Sequence, residues 1–184
     1  MTVLLRGKHV APEFRLEFSD LHWLEGQPEE RDLCAHGAAL VQIGTQQLVT
    51  PDTGNGWTLS AAALYLMRTL YRDHRPENQV GDHLVPCCGF NMWPDDNGEL
   101  IILGCPSGID WHVTHTAGQV ILTAPDGESI SLSAAEWRAA VLRVVDQVRS
   151  FYRTSLPKQL PDDELDRRGY ELFWSEWERL RTAA

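Results

Sequence analysis

Apolar residues recur with two different periods along this 184-residue chain, and the switches between them limit what it can fold into. Phe14, Leu16 and Phe18 alternate with Arg15 and Glu17, the period-two signature of a strand with one buried face. Ala38–Ile43 and Gln47–Thr50 flank Gly44-Thr45 and predict a hairpin. After the turn cluster PDTGNG, the period lengthens. Ala63, Leu66, Met67, Leu70 and Tyr71 or His74 follow helical spacing, with Arg68, Arg72 and Asp73 opposite, so Ser60–His74 is read as an amphipathic helix with Ser60 as its N-cap. The period then returns to two. His83–Phe90, Leu100–Gly104, Asp110–His115 and Gln119–Thr123 read as short strands of an antiparallel meander, separated by PDDNG, CPSG, Ala117-Gly118 and PDG.

Ser133–Thr154 predicts a second helix. Ser133 and Glu136 have the spacing of a capping box, and Trp137, Ala140, Val141, Val144, Val148, Phe151 and Tyr152 form one stripe. LPKQLP resists helix, and a third helix starts at Asp162 or Asp163 and runs to about Arg181, with Leu165, Leu172, Phe173, Trp177 and Leu180 docking it and Gly169 at a close approach. The fold expectation is one α+β domain, 1–184: a mainly antiparallel sheet with about three amphipathic helices packed on it as a single pair of layers. The tetrapeptide LSAA opens both of the first two helices, so strand-then-helix halves 10–76 and 80–155, followed by the C-terminal helix 162–181, form an alternative division.

Composition bounds the partners. Acidic residues outnumber basic ones 26 to 16, for a net charge of −10, and Lys occurs only at Lys8 and Lys158. That balance argues against nucleic acid, whose phosphates require a basic face. No run is long and apolar enough for a bilayer, and Met1–Val10 lacks the features of an export leader. Four cysteines without such a leader suit free thiols in the cytoplasm.

Three stretches carry candidate chemistry. Cys34, His36, His83 and Cys87 have zinc-ligand chemistry, yet no C-x-x-C pair is present. Cys87 and Cys88, if on a regular strand, would point to opposite faces, so neither a metal nor another cofactor is expected. Cys105 or Ser107 as nucleophile, with Asp110 and His112 on one strand face and His115 on the other, offers the parts of a catalytic set, but Ser107 is outside a G-x-S-x-G frame. Glu29, Glu30, Trp93, Asp95, Asp96 and Trp174 are acids and aromatics of the kind that anchor protein interfaces.

Three function classes follow. In size, charge and composition the chain resembles, in general character, the bacterial immunity proteins that neutralise toxins, although no motif carries that likeness. It implies a non-catalytic module binding a basic protein. A self-associating structural or regulatory subunit stands beside it, as does a small metal- or thiol-dependent enzyme built on Cys87/His83 and Asp110/His112.

Overall fold

The computed structural model describes residues 14–184; Met1–Val10, on which the expectation of no leader rests, lies outside them. Strand β1 (Phe14–His22) pairs antiparallel with β2 (His36–Ile43), and Gly44, at φ +61°, turns the chain into β3 (Gln46–Val49). A short β4 (Trp57–Thr58) pairs the first residues of β2. Leu16, Phe18, Val41 and Ile43 are buried, as the alternation requires.

Helix α1 (Leu59–Arg68) departs from expectation in length and character. Every residue in it is buried, so it is a central helix covered on all sides rather than an amphipathic one. Thr58 stands at its N-cap position, with its hydroxyl turned to the Cys87 carbonyl at 3.2 Å, and Ser60 lies inside its first turn. The second LSAA differs in register: Ser133 is itself the cap of α2 (Ala134–Thr154), accepting from the Glu136 N–H while the Glu136 carboxylate accepts the Ser133 N–H at 2.8 Å. Identical letters therefore begin two different helix starts.

The middle of the chain forms three further antiparallel sheets instead of one continuous meander. They are β5 (Val85–Pro86) with β8 (Gly108–Ile109), β6 (Asn91–Pro94) with β7 (Leu100–Leu103), and β9 (His112–Thr116), β10 (Gln119–Thr123) and β11 (Ser129–Ser133) in sequence order. The architecture is α+β with three α-helices and only antiparallel pairing among the described residues.

Helices α2 and α3 (Glu164–Ala183) close the core. α2 buries Trp137, Val141, Val144, Val145 and Val148, while Arg143 and Gln147 flank that stripe and donate to the Leu16 and Phe18 carbonyls of β1 at 2.9 Å each. These bonds occupy strand-edge acceptors that could otherwise recruit another strand. α3 buries Tyr170, Phe173, Trp177 and Leu180, whereas Leu165 is exposed. It crosses β6 at Gly169, where any Cβ would overlap the Met92 carbonyl. No helix among the described residues is long and apolar enough to cross a membrane.

Candidate functional site

The sequence between Cys87 and Cys105 builds a hairpin with three chemically different parts: a tip, two faces and a base. The tip is set by Asp95. Its carboxylate accepts the N–H groups of Asn97 at 2.8 Å and Glu99 at 2.7 Å, and Gly98 completes the turn at φ +77°. The Glu99 N–H, followed by the other backbone donors, holds the Asp95 carboxyl below the usual carboxylate range. Asp96 and Glu99 are exposed beside it, so the tip is anionic.

The two faces separate by alternation. Met92, Leu100 and Ile102 point inward and are buried, while Trp93 and Ile101 share the opposite face with Asn91 and Leu103. Ile101 is 37% exposed, Leu103 42%, and Phe90, just before β6, 61%. The inner side is locked. Tyr65 of α1 donates to the Ile102 carbonyl at 3.3 Å, and Arg68 donates to the carbonyls of Leu100 (3.2 Å) and Val80 (2.7 Å). The Arg68 guanidinium also forms a bidentate pair with Glu176 of α3, at 2.6 and 2.9 Å.

At the base the two arms converge on sulfur. Continuing the β6–β7 pairing two steps past Asn91–Leu103 places Gly89 opposite Cys105, with Cys88 next to it. Gly104 fits because it has no side chain; a Cβ there would overlap the Cys88 carbonyl. The Cys88 and Cys105 sulfurs are 3.1 Å apart, those of Cys88 and Cys87 3.9 Å, and all three lie within 4.8 Å of one another. The Cys87 N–H donates to the Ser107 carbonyl at 3.0 Å, tying the two segments together. Accepting from Cys88 draws the Cys105 thiol below its ordinary value; the bond to Cys105 and partial burial raise that of Cys87.

This trio differs from the set anticipated from sequence. Cys87 and Cys88 lie just beyond the two-residue β5, in irregular backbone, so strand alternation does not separate them. Cys34 is 1% exposed, its thiol pushed up to about 12 by burial and then by Asp32, and it donates to the Gly89 carbonyl at 3.7 Å. His36 sits 3.9 Å from the Asp32 carboxylate, its protonation disfavoured chiefly by burial. His83 packs against Gly108, with Nδ1 buried and without a hydrogen-bond partner among the described residues. The signal for Cys88 and Cys105 was present in the sequence: one lies six residues before the PDDNG turn and the other seven after it, close to mirrored positions on the two arms of a hairpin.

The expected Asp110–His112 pair is not formed. Asp110 precedes β9 in irregular backbone and pairs with buried His74, whose Nε2 is 2.9 Å away. Since His74 Nδ1 accepts the Val80 N–H at 3.1 Å, Nε2 carries the proton and donates to Asp110. Asp110 also accepts the Leu84 N–H at 3.0 Å, so this pair pins the 80–84 loop. His112 stands exposed at the start of β9, and Asp73 takes His115 at 3.0 Å.

Most of the expected interface residues make internal contacts. Glu29 accepts the Leu156 N–H at 2.7 Å, and its carbonyl receives Lys158; the Glu30 carbonyl receives the Gln159 N–H at 2.7 Å. Trp93 donates its indole N–H to Asp166 at 2.8 Å. Trp174 is half-buried among Tyr152, Tyr170, Phe173 and Trp177, with the Arg149 guanidinium 4.4 Å over its ring. Asp96 is exposed at the hairpin tip without a bonding partner among the described residues, and Phe90, Ile101 and Leu103 are exposed apolar positions that periodicity alone did not single out.

Comparison with protein-family models, with curated proteins and with solved structures finds no match.

Proposed function

We propose that this chain is a non-catalytic protein-binding module that presents the outer face and acidic tip of the β6–β7 hairpin to a partner with an apolar surface rimmed by cations. The observation that carries the reading is the exposure of Ile101 and Leu103 on the outer face of a hairpin whose opposite face is fastened into the core, with Phe90 exposed just before β6. A rigid apolar strip avoids much of the ordering cost that a mobile loop meets on binding. Asp96 and Glu99 at the tip, within a chain of net charge −10, select a basic partner and speed its approach. A cationic catalytic cleft has that chemistry, so the specific form we propose is a bacterial, toxin-neutralising inhibitor of the immunity type. Four free thiols support a reducing compartment, the cytoplasm, for its action.

The catalytic alternative has less support, because the nearest partners of Cys105 are sulfur atoms and the Ser107 carbonyl rather than a base. Self-association through the same apolar row is the second reading, favoured by the same exposed side chains.

The test is capture of partners from the native host, by the natural chain and by the double variant Phe90→Ser/Leu103→Ser, beside sedimentation of each alone. The reading expects a basic protein retained by the natural chain, released by salt and lost by the variant. Identical captured proteins from both chains would count against it. A dimer of the natural chain that the variant dissociates, with no foreign protein retained, would transfer the apolar row to self-association.

A further inference from the structure

We infer that Cys87, Cys88 and Cys105 form a three-thiolate site for a thiophilic cation of the zinc class, which clamps the two arms of the hairpin at its base. The inference is independent of the partner proposed above. Zinc holds thiolate sulfur at about 2.3 Å, so tetrahedral coordination separates neighbouring sulfurs by about 3.8 Å. The observed contacts of 3.1 and 3.9 Å, with all three sulfurs inside 4.8 Å, bracket that edge length. Small side-chain rotations suffice to admit an ion.

Three further features favour a cation over simple packing. The sulfurs come from two segments separated by the whole hairpin, and Gly104 lets those segments approach where a Cβ would collide with the Cys88 carbonyl. Cys87 is exposed and the other two sulfurs are partly so, which provides an entry path, whereas the core thiol of Cys34 is sealed. Thiols also make only weak hydrogen bonds, so three facing one another gain little as neutral groups. As thiolates around a dication they become strong ligands, and soft ligands of this kind select zinc or copper(I) over magnesium or calcium. A disulfide between Cys88 and Cys105 would use two of the three sulfurs and leave Cys87 without a role. Three protein ligands leave a fourth position for water.

Binding is a ligand exchange with no change of oxidation state: three S–H bonds are lost, three Zn–S bonds form, and the protons pass to buffer. The test uses the full chain, reduced and metal-free, titrated with Zn²⁺ against a chromophoric chelator and then with Co²⁺. One zinc per chain is expected, with release of about three protons near neutral pH. Cobalt should give a thiolate charge-transfer band together with the visible bands of a tetrahedral ion. With zinc at 100 times its Kd, the Tm should rise by about 5 to 10 °C. Cys88→Ser and Cys105→Ser should each weaken zinc by more than the roughly 10- to 100-fold that loss of an outer partner costs. Failure to bind zinc, a cobalt spectrum without the sulfur band, or unaltered affinity in either folded variant would overturn the assignment. The cobalt spectrum of the natural chain decides the matter even if a variant does not fold.

Discussion

Arg68 is 9% exposed, yet it directs its donors to two backbone carbonyls and a carboxylate drawn from three separate parts of the chain. A buried guanidinium is tolerated only with such complete pairing, and removing it strands every partner at once. Arg68→Met should therefore cost about 3–5 kcal/mol in urea unfolding, and adding Glu176→Met should recover part of that loss by removing the orphaned charge. The cysteines give a second residue-scale prediction. In the metal-free chain at mildly alkaline pH, iodoacetamide should modify Cys105, whose thiol is drawn down by its bond from Cys88, before Cys87. Cys34, at about 12 and sealed in the core, should react only on unfolding. Peptide mapping against time reads that order directly.

At the element scale, α3 approaches β6 closely at Gly169. Gly169→Ala places a methyl group on the Met92 carbonyl and must push the helix off the hairpin. The expected loss is about 1–3 kcal/mol, with faster amide exchange along β6. Gly169 was legible as a close approach because glycine inside an otherwise helical pattern needs a packing reason. α2 was legible for a different reason: its stripe and capping box both act locally. α1 was misread because burial on every side left Arg68 looking like a solvent-facing charge, and only tertiary structure supplies the acceptors that hold it inside. β6 was hidden by a Pro94 that reads as turn, and β11 by the helix cap that ends it. The thiol trio was missed because strand alternation was applied to Cys87 and Cys88, which lie in irregular backbone where alternation does not operate. The hairpin's exposed row required knowing which face the core covers, and no periodicity within four residues can supply that.

At the scale of the whole molecule, acid stability reports how the end of α1 is joined to β9. Asp73, past the end of α1, accepts both the backbone N–H and the ring of His115 on β9, at 2.9 and 3.0 Å. The backbone bond, then the ring bond, holds its carboxyl below the ordinary value of 3.8. A carboxyl depressed in the folded state contributes stability that is fully present above its unfolded value and is lost as pH falls through the folded one. Tm should accordingly fall as pH drops below about 4, and Asp73→Asn should flatten that part of the profile. Above it, the excess of acidic groups leaves the chain with a net negative charge. The claim that residues 87–105 are the working part of the molecule is tested most directly by hydrogen–deuterium exchange, with and without the captured partner. The account predicts that exchange slows most across this segment, from the cysteine base to the acidic tip. Slowing confined to the outer face of α2, with the hairpin unchanged, would contradict it.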